Sequence, residues 1–149
     1  MQVDDAGSED WWEHGLNEPG VVVIDSTQAL LNTLASAGDR LVVLHYFAHW
    51  CGACRALHPK ASQILAERSA TVVHALVEYD SQKALAKRLG VKVLPFFQLY
   101  RGAAGKVDEF SATLTKVNRL REALQTHDVP PNSRPAGTAD ASIFTALQE

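Results

Sequence analysis

The chain has 149 residues, enough for one compact domain plus tails, and 46% of them are hydrophobic, enough to fill a core. Its net charge is −3 with lysines and arginines scattered, so no basic stripe is available to neutralise a phosphate backbone, which argues against nucleic acid as a partner. No apolar run approaches the roughly 20 residues a bilayer span requires, and Met1 to Asp10 is acidic rather than arginine- or serine-rich, so no targeting signal is legible there.

In chain order, residues 1–20 form an extension that begins with Asp4, Asp5, Glu9 and Asp10 and continues into Trp11-Trp12-Glu13. Two adjacent tryptophans are costly to leave in water, so they are expected to pack on the domain edge, with a mobile arm as the alternative. Val21 to Ile24 is a short β-branched strand; Asp25-Ser26 then offers a cap for a helix carrying Leu30, Leu31 and Leu34. Leu41 to Ala48 is nearly continuous in apolar residues, as a central strand covered on both faces must be. From Ala53 to Glu67, Ala53, Leu57, Ala61, Ile64 and Leu65 recur at helical spacing, with Pro59 interrupting the hydrogen-bond ladder. A strand over Thr71 to Val77, a short helix over Gln82 to Leu89, a strand over Phe96 to Tyr100 and a hairpin into Val107 to Ser111 follow. Leu114, Val117, Leu120 and Leu124 define an amphipathic last helix. The order β-α-β-α-β-α-β-β-α predicts an α/β domain over 21–127, a mixed sheet of four to five strands with helices on both faces. Residues 128–149 turn rich in Pro, Gly and small polar residues and are expected to be a disordered tail. Near its end Ile143, Phe144 and Leu147 align on one helical face, either a docking peptide or a frayed terminus.

Trp50-Cys51-Gly52-Ala53-Cys54 contains both cysteines of the chain, a spacing random placement gives about once in a hundred. A bond between them closes a very short loop and stabilises little by chain entropy, which turns attention to chemistry. The central strand delivers Cys51 to the start of a helix, whose free N–H groups and dipole favour a thiolate. Cys51 is the expected nucleophile, which requires that its sulfur be accessible, and Cys54 the expected resolver of a mixed disulfide. Gly52 leaves room between the sulfurs and Trp50 offers a flat apolar surface to another polypeptide, although a tryptophan at such a place can equally be core. Leu94-Pro95 opens the fourth strand with a residue that cannot donate to a ladder: a strand start or a cis bond.

His45 to Pro59, HYFAHWCGACRALHP, resembles the active-site strand, redox motif and proline-containing helix of thioredoxins, and Gly90-Val91-Lys92-Val93-Leu94-Pro95 resembles the segment leading to that family's cis-proline. The resemblance covers about residues 21–127 and implies a thioredoxin-like fold and a cis Pro95 facing the sulfurs. More narrowly, Trp11 to Gly15, Ala56-Leu57-His58-Pro59, Val93 to Phe97 and Tyr100 to Ala103 are similar to the atypical Cys/His-rich thioredoxins of chloroplasts. That likeness implies a monomer in the chloroplast stroma with no cofactor of its own. It also implies dithiol exchange with client proteins carrying reactive disulfides or thiols, peroxiredoxins among them. The surface that meets clients would comprise Trp50, Gly52, Ala53, Leu94 and Pro95.

Two positions depart from the family. Ala53 stands where thioredoxins commonly carry proline, and losing that restraint is expected to make the couple less reducing. His45 stands where the family places a buried aspartate beneath the resolving cysteine. Alternation along the strand sets Leu41, Val43, His45 and Phe47 on one face, so His45 is either a satisfied core histidine or the proton acceptor for Cys54. His49 could stabilise the Cys51 thiolate when protonated, or be an exposed loop residue. Cys51, Cys54, His49 and His58 could in principle complete a zinc site, the metal alternative to a metal-free redox pair. His14, His74 and His127 show no comparable constellation. A non-catalytic thioredoxin-fold binding module or scaffold is the rival function.

Overall fold

The computed structural model describes residues 11–13, 15–135 and 139–147. The acidic segment 1–10 and His14 lie outside the described residues. Strands β1 (Val21–Val23), β2 (Leu41–Phe47), β3 (Val72–Glu78), β4 (Phe96–Tyr100) and β5 (Lys106–Ser111) form one sheet in the order β1-β3-β2-β4-β5. The β1, β3 and β2 strands are parallel; β4 runs antiparallel to β2, and β5 antiparallel to β4. Every residue of β2 is buried, His45 included, as its nearly continuous apolar run demands of a strand with cover on both sides.

Helices α1 (Thr27–Ser36) and α3 (Lys83–Arg88) lie on one face, where Leu30, Leu34, Leu85 and Ala86 pack with Val42, Leu44 and Tyr46 of β2. The opposite face receives α2 (Gly52–Ala66) and α4 (Asn118–His127), which bring Leu57, Ala61, Leu120 and Leu124 onto Leu41 and Val43. The alternation of β2 thus feeds two cores from one strand. Ser26 caps α1, its hydroxyl accepting from the Ala29 N–H at 2.9 Å. The helix α4 starts later than the apolar spacing suggests, because Leu114–Lys116 winds as a separate 3-10 turn.

The double tryptophan packs rather than projects. Trp11 and Trp12 lie 5.7 and 5.0 Å from Phe47, ring centre to ring centre, and the Trp11 indole N–H donates to the His49 carbonyl at 3.3 Å. In the tail, where disorder is the expectation from composition, the described residues are held against the domain. Asp128 accepts from Arg68 and Thr71, both at 2.9 Å, and Arg134 forks onto the Asp39 carboxylate at 3.0 Å for each nitrogen. The chain then passes the outer edge of β5, where Lys106 and Asp140 exchange backbone hydrogen bonds of 2.8 and 2.6 Å. It ends in α5 (Ser142–Ala146), whose Ile143 is buried in the α1/α3 core with Phe144 and Leu147 beside it. The apolar face of this segment is neither frayed nor free to dock elsewhere: it covers the chain's own domain.

Candidate active site

The end of β2 and the start of α2 build the site. Cys51 adopts extended backbone geometry at the N-cap of α2, and its sulfur accepts from the Cys54 N–H at 3.1 Å. A cap sulfur in this position receives the helix's free donors and its positive end, the arrangement that favours an anionic sulfur over a neutral one. Cys51 and Cys54 are joined as a disulfide with their Cα atoms 5.2 Å apart.

The expectation of an accessible nucleophile is met only narrowly. Cys54 is wholly buried and Cys51 is 7% exposed, in a cluster with Phe47, Ala48 and Leu76 against which Trp11, Trp12, Tyr79 and Leu94 pack. Cys51 nevertheless lines an open depression of about 260 Å³ together with Trp50, Tyr79, Lys92, Val93 and Leu94. Approach to its sulfur is from one side, across an apolar rim. Trp50 is the most prominent part of that rim at 68% exposed, which overturns the core alternative for this residue; its indole N–H is tethered to Asp80 at 2.8 Å. Val93, at 48% exposed, faces it across the depression. The Leu94–Pro95 bond is cis. Gly52 and Ala53 are exposed, and a Cβ on Gly52 would meet nothing within 4 Å, so the room it leaves serves an incoming chain rather than the fold.

The zinc alternative does not assemble. Cys51 and Cys54 are bonded to each other, His49 lies 3.7 Å from Glu78, and His58 packs edge-on against Trp11 at 5.2 Å. Among the described residues no group of three or more His, Cys, Asp or Glu side chains has the geometry to hold a metal ion.

On the side of the sheet that faces α2 the structure brings together residues that the sequence does not pair. His45 is fully buried, as the alternation of β2 requires, and stacks on Phe97 of β4 at 4.5 Å. Its Nδ1 lies 3.0 Å from Nε2 of His74 on β3, and His58 of α2 stacks beside it at 6.1 Å. Both His45 and His74 are held neutral by burial, with the neighbouring imidazoles adding to the effect; His45 falls well below its ordinary value and His74 is pushed down to about 3. His74, which spacing alone does not single out, is therefore the buried partner of His45. Two histidines inside otherwise apolar strands were the available signal; the parallel register that sets Val43 opposite His74 was not.

A disulfide-bonded cysteine pair at a helix N-cap, at the carboxyl end of a central parallel strand and near the Leu94 of a cis Leu94–Pro95 bond, defines the class of thioredoxin-like domains. The family model described as Thioredoxin matches residues 21–126, and the chain belongs to the thioredoxin family. It is 40% identical over 132 residues to thioredoxin-like 2, chloroplastic, of Oryza sativa subsp. japonica, covering 87% of this chain and 60% of that protein. To thioredoxin-like 1-1, chloroplastic, of Arabidopsis thaliana it is 43% identical over 120 residues, covering 80% of this chain and 43% of that one. The chain thus spans about half the length of these relatives. Among solved structures, the short form of thioredoxin f from spinach chloroplast superposes with a TM-score of 0.63 at 33% identity, over 72% of this chain and 94% of that one. The expected thioredoxin-like fold is the observed one, and the relationship to proteins named as chloroplastic supports a chloroplast location.

Proposed function

We propose that this protein is a thiol–disulfide oxidoreductase of the chloroplast stroma that exchanges electrons with client proteins through Cys51 and Cys54. The observation that carries the proposal is the placement of the pair: one sulfur caps α2 and lines an open apolar depression, while the other lies one turn behind it out of solvent. In the reducing direction the Cys51 thiolate attacks a client disulfide, forming a Cys51–client bond and releasing the client's other sulfur as a thiolate. Cys54 then attacks Cys51; its proton passes to His45, the Cys51–Cys54 bond forms, and the client's remaining sulfur leaves with the electron pair. Two electrons have moved to the client, and the reverse sequence oxidises it, as a peroxiredoxin-linked flux would require.

Burial keeps the His45 ring neutral, so one ring nitrogen carries a lone pair, while the same burial makes its protonated form costly and confines that form to a transient of the exchange. The contact surface in this reading comprises Trp50, Gly52, Ala53 and Leu94, with Val93 and Lys92 added from the lining of the depression, while Pro95 is buried and would serve through the backbone of its cis bond. The reading includes a monomer that needs no organic cofactor of its own.

Trapping tests it. Cys54→Ser, incubated with oxidised stromal protein, is expected to accumulate reductant-sensitive covalent adducts through Cys51, and the further change Cys51→Ser is expected to abolish them. A binding scaffold would retain clients without any covalent species, and that outcome would refute the exchange reaction.

A further inference from the structure

We infer that His74 is a positioning residue for the resolving step: it fixes the tautomer of His45 so that a bare ring nitrogen is kept ready for the Cys54 proton. This rests on the exchange reaction proposed above and names a residue that neither the motif nor the family match assigns.

His45 Nδ1 and His74 Nε2 are 3.0 Å apart in rings whose planes differ by 13°, both within the sheet's buried face. A neutral pair has one hydrogen to share across that contact, so two tautomer pairs are possible. His45 Nε2 has no partner among the described residues and no contact with solvent. If His74 were the donor, the neutral His45 ring would carry its hydrogen on Nε2, an orphaned buried N–H, which is rarer and costlier than an orphaned acceptor. With His45 Nδ1 as donor to His74 Nε2, His45 Nε2 is a lone pair instead. That is the state that can take a proton.

Position ties this lone pair to the reaction. Leu76 is the cross-strand partner of His45, and Leu76 packs in one cluster with Cys54. Cys54 and His58 are one turn apart on the buried side of α2, and His58 of that side stacks on His45. The titratable group that faces the pair from α2 is His58, one turn after Cys54, and β4 contributes the ring of Phe97. In the resolving step the Cys54 S–H bond breaks as the proton binds His45 Nε2 and Cys54 Sγ bonds to Cys51 Sγ; the departing sulfur keeps the electron pair of the mixed disulfide. The resulting imidazolium holds its second hydrogen against His74 Nε2, which spreads the charge across two rings. The proton then neutralises the released thiolate or passes to solvent.

Reaction of the fully reduced protein with excess 5,5′-dithiobis(2-nitrobenzoate) separates the steps. The first equivalent of thionitrobenzoate reports attack by Cys51 and the second reports resolution by Cys54. His74→Phe is expected to leave the first phase within about twofold and to slow the second at least about tenfold between pH 6 and 9. His74→Gln, which preserves an acceptor, is expected to restore most of the second phase. Because the two imidazoles act as a unit, His45→Phe/His74→Phe is expected to be no slower than His45→Phe alone. Nitrogen-15 NMR of the unmodified protein adds a test that survives a misfolded variant: Nδ1 of His45 protonated, Nε2 bare. An unchanged second phase in His74→Phe, equal slowing of both phases, or the opposite His45 tautomer would overturn the assignment. Loss of the first phase in the unmodified protein would instead refute the exchange reaction itself.

Discussion

Burial holds the rings of His45 and His74 neutral, and in the unfolded chain each returns to about 6.5. Between the folded and unfolded values the unfolded chain binds more protons, so stability rises with pH across that window. The contribution is complete above about pH 6.5 and is lost as the solution is acidified, at about 1.4 kcal/mol per pH unit for each ring once below it. Asp39 and Asp140 act in the same direction only below about pH 4, because Arg134 and the Ser142 backbone hold their carboxyls low. The urea midpoint is therefore expected to be flat from pH 8 to 7 and to fall steadily from pH 6 to 4.5, with His45→Phe/His74→Phe flattening the fall. A midpoint unchanged between pH 7 and 5 would contradict the buried neutral pair.

At the scale of elements, the tail departs furthest from composition. Its Pro and Gly content removes helix and strand propensity, but three well-placed contacts suffice: the Arg134–Asp39 fork, the Lys106–Asp140 bridge and the Ile143 anchor. The helical face of Ile143, Phe144 and Leu147 was legible; its destination was not, since nothing local says which core a short helix will reach. The segment leaves the α2/α4 face, passes the β5 edge and closes over the α1/α3 face, blunting an edge strand that could otherwise pair with another chain. Gly105 permits the crossing: its φ is +106°, and a Cβ there would run into the Asp140 carbonyl. Gly105→Ala is expected to unlatch α5, with amide exchange at Asp140 and Lys106 rising at least about tenfold and Cys51 reactivity unchanged. Unaltered exchange at Asp140 would show that the bridge does not depend on this glycine.

For the molecule as a whole, the strand and helix order was readable because each element states its own period: the nearly continuous run of β2, the 3–4 spacing of α2, the apolar stripe of α4. The cysteines were readable for the same reason, being three apart and placed by two adjoining elements. What escaped the sequence depends on distant residues meeting. The His45–His74 contact joins positions 29 apart in the chain through a parallel register, and the cluster that holds the cysteines is packed by Trp11, Trp12, Tyr79 and Leu94, scattered across most of the domain. Ala53 bears on the whole couple: without a ring before Cys54, the first turn of α2 loses a restraint, and the midpoint potential is expected to lie above about −270 mV. A titrated value at or below that figure would show the substitution to be neutral.

The claim on which the account turns is that Cys51, and not Cys54, is the exposed thiolate of the reduced protein. Alkylation by iodoacetamide as a function of pH, with the modified residue identified by mass spectrometry, measures this directly. The account predicts that Cys51 is modified first, with a midpoint below the ordinary thiol value of about 8.5, while Cys54 stays protected. Modification of Cys54 first, or a Cys51 midpoint at or above 8.5, would contradict it.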